Sequence, residues 1–177
     1  MTLSKCCFKI RLMLALLIIV FGFLSRIVVH TPNFTPILSL ALLGGMYLKG
    51  RQAVLVPLAL MVITDFFIGF YGSEMIFVWG CIVSISVLGM WLKERKSFLN
   101  VASSSIFSAV AFYVVTNFGS WLVLYPHTMD GLRQCYILAI PFFRSTLIST
   151  VAYSLVFYAG YEWALKRSQG TVLARLV

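Results

Sequence analysis

Six apolar runs, each bounded by basic residues or by a turn, leave this chain few folds to choose from. They cover about residues 12–29, 35–48, 52–70, 75–92, 101–125 and 141–165 of 177. A helix crosses the ~30 Å hydrocarbon core of a bilayer in roughly 20 residues. Inside hydrocarbon every backbone N–H and C=O needs a partner within the protein, so repeated apolar runs read as helices. Composition agrees where it matters: 11% of residues are charged, against roughly 25% in soluble proteins. The expectation is an all-α, polytopic membrane bundle of six transmembrane helices, a single domain over residues 1–177.

The punctuation between the runs sets their topology. Lys5, Lys9 and Arg11 precede the first run in the manner of a signal peptide, but no A-x-A-like cleavage site follows, so the first span is expected to be retained. Lys49-Gly50-Arg51 closes the second run, Tyr71-Gly72-Ser73-Glu74 turns the third into the fourth, and Lys93-Glu94-Arg95-Lys96 closes the fourth. After the turn-forming segment Pro126–Gly131, residues Leu132, Cys135, Tyr136, Ala139 and Ile140 recur at helical spacing. They predict a short interfacial helix before span 6, which Pro141 opens. Six spans place both termini and the 2/3 and 4/5 connections on one side, with eleven of the fourteen basic residues. By the positive-inside rule that side is cytoplasmic. The net charge of +9 thus reads as topology, and nucleic acid is not an expected partner. Cys6, Cys7, Cys81 and Cys135 fit neither a disulfide framework nor a metal site and read as small apolar residues.

The segment Arg26–Pro36, RIVVHTPNFTP, breaks the apolar pattern. A plain hairpin needs only a turn there, and polar groups beside hydrocarbon are costly enough to suggest a site. The other polar residues fall at the same level. Asp65 lies in the outer third of span 3, Asn117 in the outer half of span 5 on a stripe with Tyr113 and Trp121, and Arg144 in the first turn of span 6. The candidate solute-binding set is Arg26, Asn33, Thr35, Asp65, Asn117, Trp121, Tyr125, Arg133 and Arg144. The arginines would hold anionic groups, Asp65 and Asn117 would give directed hydrogen bonds, and Trp121 and Tyr125 would stack on a ring. Bland readings compete with each. Arg26 and Arg144 can snorkel to headgroups, Asp65 can pair with an arginine to lock helices, and Asn117 can bridge two helices. Trp121 and Tyr125 can sit in an interfacial belt. His30 and His127 stand alone, and no metal or other cofactor is expected. No H-E-x-x-H, G-x-S-x-G or P-loop is present, so an enzyme is not expected. The rival to solute binding is a structural or assembly protein whose polar groups pair with one another.

Three blocks carry a resemblance: RIVVHTPNFTPILSLALLGG from Arg26, PLALMVITDFFIGF from Pro57, and TNFGSWLVLYPHTMDGLRQCYILAIPFFR from Thr116. They resemble the signature blocks of an uncharacterised family of bacterial six-span membrane proteins. That family is similar to the substrate-binding S components of energy-coupling factor (ECF) vitamin transporters. The resemblance implies capture of a small, vitamin-like, water-soluble nutrient at the outer face of the bacterial inner membrane. It implies delivery through a separate transmembrane coupling subunit and two ATPases. S components commonly carry small residues four apart on the first helix; here Ala15 faces Ile19, and the nearest such pairs are Ala41 with Gly45 and Ser145 with Ser149. Nickel and cobalt S components place histidine after the initiator methionine, where this chain has Thr2, so metal uptake is not expected.

Overall fold

The computed structural model describes residues 20–26, 33–70 and 72–173, with side chains as far as residue 164. Within them the chain is all-helical, in seven helices. These are α1 (residues 20–26), α2 (Ile37–Tyr47), α3 (Gln52–Ile68), α4 (Met75–Leu92), α5 (Phe98–Leu124), α6 (Met129–Leu138) and α7 (Ile140–Leu173). No strand occurs among the described residues. Three helical stretches are long and apolar enough to cross a membrane: Met75–Leu92, Phe98–Leu124 and Ile140–Ala164. The remainder of the expected first span, residues 12–19 and 27–29, lies outside the described residues.

The centre of the bundle is α2. All eleven of its residues are buried, against α3, α4, α5 and α7. A helix apolar on every side is stable only when surrounded, and ILSLALLGGMY offers no polar face. At 1.5 Å per residue α2 spans about 16 Å, roughly half a hydrocarbon core. Of the run expected as span 2, residues 35–48, the helix covers Ile37–Tyr47 and is one of the shorter apolar helices. Its ends are set locally. Pro36 precedes its first residue and donates no backbone hydrogen bond, which costs nothing at a position whose N–H would be orphaned. At the other end Gly50 adopts φ +55°, a left-handed conformation that glycine takes without strain.

Glycines decide how closely the helices approach. A methyl group at Gly45 would overlap the Ser86 carbonyl oxygen, and one at Gly89 would overlap that of Leu42. Helices α2 and α4 thus cross backbone against backbone. Gly44 rests on the ring of Pro57, the proline inside α3, and Gly22 brings α1 onto Leu40 and Leu60.

The outer helices present apolar side chains outward. Phe66, Phe67, Ile76, Leu99, Phe107 and Trp163 are all more than half exposed, an apolar surface beyond what a soluble monomer carries. The helix predicted before span 6 is present as α6, and α7 runs past the expected end at residue 165 to Leu173.

Candidate functional site

Two polar assemblies lie at opposite ends of the bundle. One is a buried ion pair beside a cavity, built where α1, α3 and α4 meet the first turn of α2. Arg26 Nη1 stands 2.7 Å from Asp65 Oδ1, and the other carboxylate oxygen accepts a hydrogen bond from Trp79 Nε1 at 2.8 Å. Asp65 is wholly enclosed, while the Arg26 side chain keeps 13% exposure. Arg26 Nη1 also donates to the Thr64 hydroxyl and lies 3.1 Å from Met61 Sδ. Thr64 and Asp65 are adjacent because they close the last turn of α3, with Gly69 N–H bonding to the Asp65 carbonyl. A carboxylate in apolar surroundings is tolerated when it is paired and hydrogen-bonded: here Oδ2 accepts the Trp79 hydrogen bond, while Oδ1 has the Arg26 charge beside it and accepts no hydrogen bond.

Next to the pair is a cavity of about 450 Å³. Arg26, Asn33 and Thr35 line it with Ile37 and Leu38, the first residues of α2. Tyr113, Thr116, Asn117 and Ser120 of α5 and Thr146 of α7 line it as well. Phe112, Phe142 and Phe143 supply aromatic wall, with Met61, Val78 and Ala139. Non-helical backbone at this depth is affordable only where it is enclosed or lines a cavity, and residues 33–36 do so. Asn33 adopts φ 58°, a conformation asparagine tolerates better than most residues. Its carbonyl lies 3.5 Å from Ser149 Oγ.

Several wall residues have committed their hydrogens to backbone carbonyls. Thr116 donates to Phe112 O, Thr146 to Phe142 O, and Asn117 Nδ2 to Tyr113 O. Tyr113 Oη donates to Tyr136 O at 2.7 Å, tying α6 to α5, and its ring sits 4.7 Å from that of Phe143. Tyr136 Oη returns a bond to Val114 O, and Cys135 Sγ lies 3.3 Å from Asn117 O. Burial pushes the Cys135 thiol above its ordinary range.

Of the nine residues singled out in the sequence, Arg26, Asn33, Thr35 and Asn117 line the cavity. Asp65 stands behind its wall as the partner of Arg26. Trp121, Tyr125, Arg133 and Arg144 are not among the lining residues. Trp121 Nε1 donates to Pro126 O, and its ring meets His127 edge-on, so it fastens the α5/α6 turn. Arg133 and Arg144 are exposed. Phe142, Phe143 and Thr146 take the inner face of α7, and at about 100° per residue Arg144 turns away from it.

Thr116, Ser120, Phe143 and Thr146 were not singled out in the sequence. The signal for the α5 pair was present, since Tyr113, Thr116, Asn117 and Ser120 repeat at intervals of three and four, one helical face.

At the other end Tyr47, the last residue of α2, donates to Glu162 Oε1 at 2.7 Å. Lys96 Nζ lies 3.6 Å from the same oxygen and 4.4 Å from the centroid of the Tyr47 ring. No group of three or more His, Cys, Asp or Glu capable of holding a metal occurs among the described residues.

No protein of curated function and no solved structure matches the chain. A family model does match, over residues 7–173. The chain belongs to that family, DUF6580, a family of unknown function.

Proposed function

We propose that this protein is the membrane-embedded solute-binding subunit of an uptake system, with the cavity beside Arg26 as its binding site. The observation that carries the reading is the cavity itself. Polar side chains from α1, residues 33–35, α5 and α7 converge on about 450 Å³ of space, within the range of small-molecule sites. In this reading the bundle passes the membrane six times in the manner of an ECF S component. The short α2 begins beside the cavity, where its first residues Ile37 and Leu38 line the site. The cavity end faces outward in a bacterial inner membrane, because Lys49, Arg51, Lys93, Arg95 and Lys96 gather near the Tyr47–Glu162 end. A transmembrane coupling subunit and two ATPases would supply the energy.

The test is a melting-temperature screen of the purified chain in detergent against water-soluble metabolites. A stabilising compound is expected to lose its effect with Thr116→Val or Asn117→Leu and to keep it with Arg133→Ala or Arg144→Ala. Equal effects in all four variants would remove the cavity from the proposal.

A second reading is favoured by one observation: Asp65 is paired with Arg26 and bonded to Trp79 inside the bundle. A structural or assembly protein would need only that. It predicts that no solute raises the melting temperature, while substitution of Asp65 lowers it.

A further inference from the structure

We infer that the cavity takes an uncharged ring compound that carries N–H or O–H donors. The inference rests on the solute-binding reading and gives it a ligand class. Three observations lead to it.

The first is charge balance. Arg26 is the single ionised residue among the described residues that line the cavity. Its charge is already met 2.7 Å away by Asp65, which Trp79 holds in place from the other side. An anion entering the cavity would find a guanidinium–carboxylate pair with a sum near zero. A cation would find no unmatched carboxylate. Either ion would give up its hydration for no counter-charge, a loss that buried ions recover only through close pairing.

The second is the direction of the hydrogen bonds. Thr116, Thr146 and Tyr113 have each donated their one hydroxyl hydrogen to a backbone carbonyl. Each oxygen is left able only to accept. Asn117 has spent one N–H on the Tyr113 carbonyl and keeps Oδ1 and a second N–H. These residues of α5 and α7 therefore bring four acceptor oxygens to the cavity. Arg26 brings guanidinium N–H groups to the same space.

The third is the aromatic lining. Phe112, Phe142 and Phe143 all line the cavity, which suits a flat scaffold.

The test uses matched forms of two scaffolds on the purified full chain, with binding followed by native mass spectrometry. The first set is nicotinamide, nicotinate, N,N-dimethylnicotinamide and N1-methylnicotinamide. The second is uridine, uridine 5′-phosphate and N3-methyl-tri-O-methyluridine. The neutral, donor-bearing form of at least one scaffold is expected to bind tenfold or more tightly than its charged and methylated counterparts. Thr116→Val, which keeps the shape and removes one acceptor, should weaken that form by roughly three- to tenfold. Asn117→Asp should turn the order toward the cationic nicotinamide derivative. A charged or methylated form that binds as well as its neutral parent overturns this inference and leaves the solute-binding reading standing. If no form of either scaffold binds a chain that still melts cooperatively, this inference and the reading beneath it both fall.

Discussion

Asp65 is held from two directions, by Arg26 on α1 and by Trp79 on α4, and that double hold decides what its replacement will do. Removing one partner of a buried pair costs about 3–5 kcal/mol because the other charge is left unpaired. Asp65→Leu is therefore expected to lower the melting temperature sharply in detergent. The double variant Arg26→Met with Asp65→Leu should recover much of the loss. A double variant as unstable as the single one would mean that the pair is not the source of the effect. Trp79→Phe should cost less, about 1–3 kcal/mol, by leaving one carboxylate oxygen unsatisfied. Pairing of Asp65 with an arginine was one of two readings the sequence left open, the other being a direct place in the binding site. The part played by Trp79 was not legible, because it depends on how α3 and α4 are placed against each other. The same limit explains Arg144. Its depth was readable, but the direction of its side chain follows from which face of α7 meets α5.

The tightest helix contact is the crossing of α2 and α4 at Gly45 and Gly89. Gly45→Ala or Gly89→Ala must push two backbones apart, and overpacking of this kind typically costs about 1–3 kcal/mol. Gly80→Ala is the control, because nothing lies within 4 Å of its added methyl. A melting temperature lowered equally by Gly80→Ala would show that glycine content, and not the crossing, is being measured. On α6, Cys135 is buried and its thiol is pushed up by that burial, so little thiolate exists at neutral pH. Alkylation should be slow at pH 7 and rise only at a pH above the usual thiol range. Rapid modification at pH 7 would mean that α6 leaves α5 readily. The start of α2 at Ile37 lies within two residues of the Thr35 expected, and the presence of α6 was legible from the spacing after Gly131. The half-length of α2 was not, because apolarity marks what is buried and leaves open whether lipid or protein does the burying.

Across the whole molecule, the cavity and the Tyr47–Glu162–Lys96 cluster mark two ends, since Thr146 and Glu162 are separated along α7 by about 24 Å of helix. A membrane-impermeant maleimide should label Arg133→Cys from outside intact cells. It should label Lys93→Cys only after the membrane is opened. The reverse pattern would turn the bundle over and put the cavity on the wrong side for uptake. The orientation is an expectation from the distribution of lysine and arginine, whereas the cavity became visible only when residues far apart in the sequence were seen to enclose it. The shortness of α2 has one more consequence. Whatever settles at its first turn rests on top of eleven enclosed residues, a stopper whose lower rim is clasped by Glu162. No side chain in that plug can simply swing aside to make a passage. A solute leaving by this route would have to lift the stopper whole, against the clasp at its rim and the crossing with α4 together.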